Sequence, residues 1–205
     1  HLGRTPPSLT PLFRRADIVR MAQAVGPYTI QMLEAFPADG KRYEILDGVL
    51  IVTPAPIPSH QILQAALGEQ LLPYVRANAV GRVLFGPADV IFDEHTLLEP
   101  DLLVALGEGA RGLRSWRDLP DPALVVEILS PSSARYDRGL KRERYLQRVA
   151  EYWIVDLESR LIERWRAGDE RPSIHRQRLE WQPAPNIPPL VVDVAALFAE
   201  LPEPE

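Results

Sequence analysis

One segment constrains this chain more than any other. Leu124-Val125-Val126-Glu127-Ile128-Leu129 is a nearly continuous apolar string with one carboxylate inside it. Such a run marks a strand covered on both faces, at the centre of a sheet packed between layers. A carboxylate buried there costs several kcal/mol unless a cation reaches it. The chain must therefore build a two-sided sheet and deliver a metal, an arginine or Lys141 to Glu127.

The flanking patterns supply the rest of an α/β order. Thr29 is positioned to cap a short helix carrying Met32, Leu33 and Phe36, ended by Pro37 and Asp39-Gly40. Tyr43–Leu46 and Val49–Val52 flank Asp47-Gly48, a dipeptide suited to a type I′ hairpin turn. Ser59 reads as the N-cap of a long helix to about Asn78, with Ile62, Ala66, Leu67, Leu71 and Tyr74 or Val75 as its apolar stripe and Pro73 as a kink. Strand-like runs follow at Arg82–Phe92, Pro100–Leu106 and Ala123–Leu129. A second helix over Tyr136–Val149 is expected to turn Leu140, Tyr145, Leu146 and Val149 inward. Tyr152–Val155 and Leu161–Trp165 form a further strand pair, with more strand near Ile174–Trp181 and a closing helix over Val191–Leu201. Helix, three strands, helix, strand predicts a mixed sheet covered on both faces.

Residues 1–28 read as an N-terminal extension with one or two helical turns around Ala16–Val25, and 29–205 as one domain. At 205 residues with 46% hydrophobic side chains, roughly 70% of the unfolded surface can be buried, so the core needs no staple. There is no cysteine, which excludes disulfides, zinc knuckles and a thiol nucleophile. The uncharged run Gly48–Gly68 is broken by three prolines, Ser59, His60 and Gln61 and cannot span a bilayer. No membrane association and a cytoplasmic location are expected.

Asp101 opens one expected strand and Glu127 lies late in the next. Paired, those strands bring two carboxylates to one side of the sheet, as a hard divalent ion such as Mg²⁺ requires; on spacing alone, Asp101 reads equally well as a turn acid. Lys41 and Lys141 are the only lysines among 23 basic residues. Between Arg135 and Arg148, six basic residues, including Arg138, Lys141 and Arg142, face Asp137 and Glu143. That basic patch, in a chain of net charge −5, suits a polyanion.

Glu44-Ile45-Leu46-Asp47-Gly48, His60, Pro100-Asp101, Val126-Glu127-Ile128-Leu129-Ser130-Pro131-Ser132-Ser133, Tyr136-Asp137, Lys141 with Tyr145, and Glu151–Asp156 occur in this order over roughly residues 29–166. Together they resemble the Uma-two family of bacterial endonuclease-like proteins, within the PD-(D/E)XK nuclease superfamily. The resemblance implies a restriction-endonuclease-like α/β/α core with a mixed central sheet and an added N-terminal hairpin. It further implies a Mg²⁺-dependent DNA endonuclease, with Mn²⁺ as an alternative ion. Asp101, Glu127 and the Ile128 carbonyl would hold the metal, and Glu44 would be a third site acid. The superfamily lysine belongs two residues after Glu127, where this chain has Leu129; Lys141 is the substitute. His60, Ser130, Arg138 and Arg142 are candidate substrate contacts, although a histidine in a first helical turn and a serine before proline also have structural readings. A catalytically inactive nucleic-acid-binding module on the same fold is the competing function. A homodimer is expected, with Trp165 and Trp181 partly exposed to provide apolar surface.

Overall fold

The computed structural model describes residues 27–130 and 133–201; the turns expected near Ala16–Val25 lie outside them. A short helix α1 (Ile30–Leu33) leads to a hairpin of β1 (Arg42–Leu46) and β2 (Val49–Thr53). Its turn residues Asp47 and Gly48 have φ of 52° and 78°, the left-handed pair that a type I′ turn demands and that asparagine, aspartate and glycine best tolerate. Helix α2 (Pro58–Ala77) follows. It starts one residue ahead of the expected cap, with Ile57 at the N-cap and Pro58 in the first turn, where proline's missing N–H costs no hydrogen bond. Pro73 lies on the exposed side and the helix continues through it.

The run Arg82–Phe92 divides at Gly86-Pro87 into β3 (Gly81–Phe85) and β4 (Val90–Asp93), which belong to different sheets. Strand β5 (Thr96–Leu98) precedes β6 (Leu102–Leu106), a one-turn helix α3 (Gly107–Arg111) and β7 (Leu124–Ile128). A helical crossover α4 then runs over 134–145, with a π-type turn at Asp137–Lys141 where Gly139 departs from helical geometry. The chain continues through β8 (Glu151–Asp156), β9 (Leu161–Arg166), β10 (Ser173–His175), β11 (Arg178–Trp181) and β12 (Leu190–Asp193) to α5 (Val194–Ala199). The segment expected as one closing helix is thus strand, then helix, with Asp193 accepting the Ala196 N–H as a cap.

Six strands form the central sheet in the order β10-β9-β8-β7-β6-β3. It is mixed: β7 and β8 are parallel, as a helical crossover requires, and the other pairs are antiparallel. Alternation along the strands sorts side chains between two cores. Leu102, Val104, Leu124, Val126, Ile128 and Trp153 meet Leu63, Leu67 and Leu71 of α2 and the β11–β12 ribbon. Leu103, Ala105, Val125, Tyr152 and Ile154 meet Tyr145 of α4 and a second sheet, β2-β1-β5-β4. The expected N-terminal hairpin, added to the central sheet, forms half of that second sheet. Trp165 and Trp181 are buried, the latter against Trp153 and Tyr74, so the apolar surface expected of them for a homodimer is absent. No helix among the described residues is long and apolar enough to cross a membrane.

Candidate active site

The period of two that places Val125 toward α4 also turns Glu127 that way, under the helix and beside β1. Helix α4 meets it with a polar stripe. Asp137, Lys141 and Tyr145, spaced four apart, are buried, while Leu140 is 52% exposed. Tyr145, Leu146 and Val149 face the core as expected, but Leu140 does not, because the first part of the inward face meets carboxylates. Lys141 Nζ lies 2.7 Å from Glu44 Oε2, 3.4 Å from Glu127 Oε1 and 3.4 Å from Asp137 Oδ1. Tyr145 donates its hydroxyl to Glu127 Oε1 at 3.2 Å, and the Glu99 N–H donates to Glu44 Oε1 at 2.8 Å. Leu129 is packed in the core on the same face as Glu127.

Asp101 sits just before β6, beside the end of β7. Its Oδ2 accepts the Ile128 N–H at 2.7 Å and pairs with His60 Nε2 at 2.9 Å; its Oδ1 pairs with Arg42 Nη1 at 2.5 Å. Gln64, one turn after His60, donates to the Asp101 carbonyl. Since Leu129 donates its N–H to Val155 on β8, the neighbouring Ile128 presents its backbone groups to the opposite edge, where Asp101 lies.

Arg42, Glu44, His60, Asp101, Glu127, Ile128, Ser130 and Lys141 all line one cavity of about 210 Å³, walled by the Thr53–Ile57 segment. The Ser130 hydroxyl lies 3.0 Å from that of Ser133. Arg138 and Arg142 do not line this cavity. Arg138 is tied to Asp156 and Glu163 at 2.6 Å, and the Arg142 guanidinium lies 4.2 Å from the centre of the Trp165 ring. The basic stretch over 135–148 is largely spent within the protein, since Arg144 pairs with Asp47 and Arg148 with Asp121.

Four buried acids, Glu44, Asp101, Glu127 and Asp137, face two permanent cations, Arg42 and Lys141. Burial pushes the Glu127 carboxyl well above the usual range, against the pull of Lys141 and with help from Asp137, Asp101 and Glu44. Burial opposes charge on Lys141, but Glu127, Glu44 and Asp137 outweigh it and hold the ammonium's pKa well above its ordinary value. For Asp101, burial is overcome by His60, Arg42 and the Ile128 N–H, and its carboxyl stays below the ordinary value. Glu99, partly buried near Glu44 and Asp89, is pushed up to about 7.

Arg42 is the principal residue here that the sequence pattern does not single out. It lies two positions before Glu44 on one strand, a spacing that puts both on the same face. No three His, Asp or Glu side chains among the described residues form a ready metal cage. A hard divalent ion using one or two carboxylates, a backbone carbonyl and solvent needs none. The oxygen donors of Asp101, Glu127 and Ile128 and the local surplus of acid fit such an ion.

A family model described as a putative restriction endonuclease, Uma2, matches residues 30–195. The fold is similar to the crystal structure of a putative nuclease belonging to DUF820 from Anabaena variabilis. The TM-score is 0.70 at 18% identity, covering 84% of this chain and 98% of that one. No curated protein matches the chain.

Proposed function

Because the chain belongs to the Uma2 family of putative restriction endonucleases, we propose that it is a divalent-metal-dependent endonuclease that hydrolyses DNA phosphodiester bonds at the Asp101–Glu127–Lys141 cavity. The observation that carries this reading is the convergence of Asp101, Glu127, Glu44 and Lys141 from four separate elements on one pocket. Asp101, Glu127 and the Ile128 carbonyl would hold Mg²⁺ or Mn²⁺. When bound, the ion supplies Lewis-acid polarisation of the phosphoryl group and acidifies water.

The chain's own residues account for the remaining work. His60 and the Ile128 N–H orient Asp101 by fixing Oδ2. Glu44 and Asp137 hold Lys141 charged and directed at Glu127. An ammonium so fixed stabilises negative charge developing on the phosphoryl oxygens, and its raised pKa makes it a poor proton acceptor. Water adds to phosphorus and one ester P–O bond breaks, giving a phosphomonoester and a hydroxyl. Residues 29–205 act in this reading as one nuclease domain. Pairing of two chains would place a centre on each strand of a duplex; light scattering tests that pairing, and a monomer at micromolar concentration removes it.

The replacement of the superfamily lysine by Leu129 favours a second reading, a binding module without catalysis. Nicking of supercoiled DNA with Mg²⁺ or Mn²⁺, and with EDTA, separates the two. Metal-dependent nicking by the wild type that is lost in Asp101→Asn and Glu127→Gln supports the enzyme. No nicking with either ion supports the module, and equal nicking by all three proteins refutes the site.

A further inference from the structure

We propose that Arg42 is a built-in competitor of the divalent ion at Asp101, a resident cation that must leave Oδ1 before the ion can hold it. The inference rests on the metal-centre reading above and deepens it. Asp101 is 2% exposed, and its two oxygens are treated differently. Oδ2 is held by a backbone N–H and by His60, both fixed on packed elements. Oδ1 is held by the end of the Arg42 side chain, which is 17% exposed and is the more open partner. Arg42 and Asp101 line the same cavity as Glu127, so an ion held by the two acids would lie beside the guanidinium.

Two cations cannot share one carboxylate oxygen in a poorly solvated pocket without strong repulsion. Lys141 does not play this part, because three carboxylates enclose it, whereas Asp101 is the one ion-pair partner of Arg42 among the described residues. Arg42 therefore holds Asp101 Oδ1 in place without metal and lowers the affinity of the site for metal. Once displaced, it is a cation free to meet a substrate phosphate. By linkage, whatever strengthens the Arg42–Asp101 pair weakens ion binding to the same degree.

The test is calorimetric titration of Mn²⁺ into wild type, Arg42→Gln, Arg42→Lys and Asp101→Asn, with thermal melting of each, with and without Mn²⁺. Arg42→Gln should bind Mn²⁺ about tenfold more tightly than wild type, since it removes a neighbouring positive charge. Arg42→Lys, which retains the charge, should stay close to wild type. Arg42→Gln should also melt lower without metal and gain more from Mn²⁺ than wild type does. Unchanged or weaker Mn²⁺ binding by folded Arg42→Gln overturns the inference while leaving the metal centre standing, provided Asp101→Asn abolishes wild-type binding. If Arg42→Gln melts too low to titrate, Arg42→Lys decides: Mn²⁺ binding tightened about tenfold despite the retained charge overturns the competitor role, and wild-type-like binding supports it. Absence of Mn²⁺ binding in every protein overturns both readings.

Discussion

Replacing Lys141 by methionine should destabilise the protein in a way that depends on pH. The ammonium is 3% exposed and stands within 3.4 Å of three carboxylates. Methionine matches most of the side chain's length but leaves Glu44, Glu127 and Asp137 facing one another without a counter-charge. Breaking a buried ion pair costs about 3–5 kcal/mol. For a domain of this size that corresponds to a fall in melting temperature of roughly 10 °C. The acids can recover part of the loss by taking up protons. Glu127 already titrates well above its ordinary range because it is buried, and the substitution removes the group that pulls it down. A carboxyl whose folded pKa exceeds its unfolded value retains a proton in the folded state after the unfolded chain has lost it. Stability then falls as pH rises between the two values. The deficit of Lys141→Met relative to wild type should therefore be smallest near pH 5 and grow toward pH 8. Melting of both proteins across that range measures it. An equal deficit at both ends, or none at all, would refute the role of Lys141 as the counter-charge of a buried acid cluster.

The same reasoning extends to two other positions. Glu99 has its carboxyl raised from 4.5 to about 7 by burial, Glu44 and Asp89, so wild type loses the associated stability as pH climbs from 4.5 through 7. Glu99→Gln cannot ionise and should gain on wild type over that interval; a melting difference that is flat from pH 5 to 8 contradicts this. Leu129 shares the face of Glu127, so Leu129→Lys should destabilise the wild type by about 2–3 kcal/mol through a second buried ammonium. Combined with Lys141→Met it should instead recover stability and part of the nicking rate; additive losses in the double variant show that position 129 cannot serve Glu127.

Elements whose signals are local can be read from the amino-acid sequence alone. Asp47-Gly48 specifies its own turn through the conformations its two residues tolerate, and the apolar run around Glu127 can be satisfied only at the centre of a covered sheet. Where tertiary packing decides, the sequence pattern misleads. Counting apolar residues turns Leu140 inward, yet the inner face of α4 is Asp137, Lys141 and Tyr145, because it packs on acids. Gly86-Pro87 within Arg82–Phe92 is a local break signal, but that the two halves join different sheets depends on distant strand partners. The burial of Trp165 and Trp181 depends on partners distant in sequence, among them Arg142 and Tyr74. Similarly, a count of arginines over 135–148 suggests an open basic face, whereas Asp47, Asp121, Asp156 and Glu163 take up four of its guanidinium contacts. Arg42 could be suspected from its same-face spacing with Glu44, but its partner Asp101 lies 59 residues away.

The central claim is that Asp101 and Glu127 share one divalent ion. Crystals grown with Mn²⁺ and measured at a wavelength where manganese scatters anomalously test it most directly. A shared ion predicts one strong anomalous peak within coordination distance of Asp101, Glu127 and the Ile128 carbonyl, with Arg42 withdrawn from Asp101 Oδ1. A cavity without a peak at saturating Mn²⁺, or a peak confined to surface acids while Arg42 still holds Asp101, would contradict it.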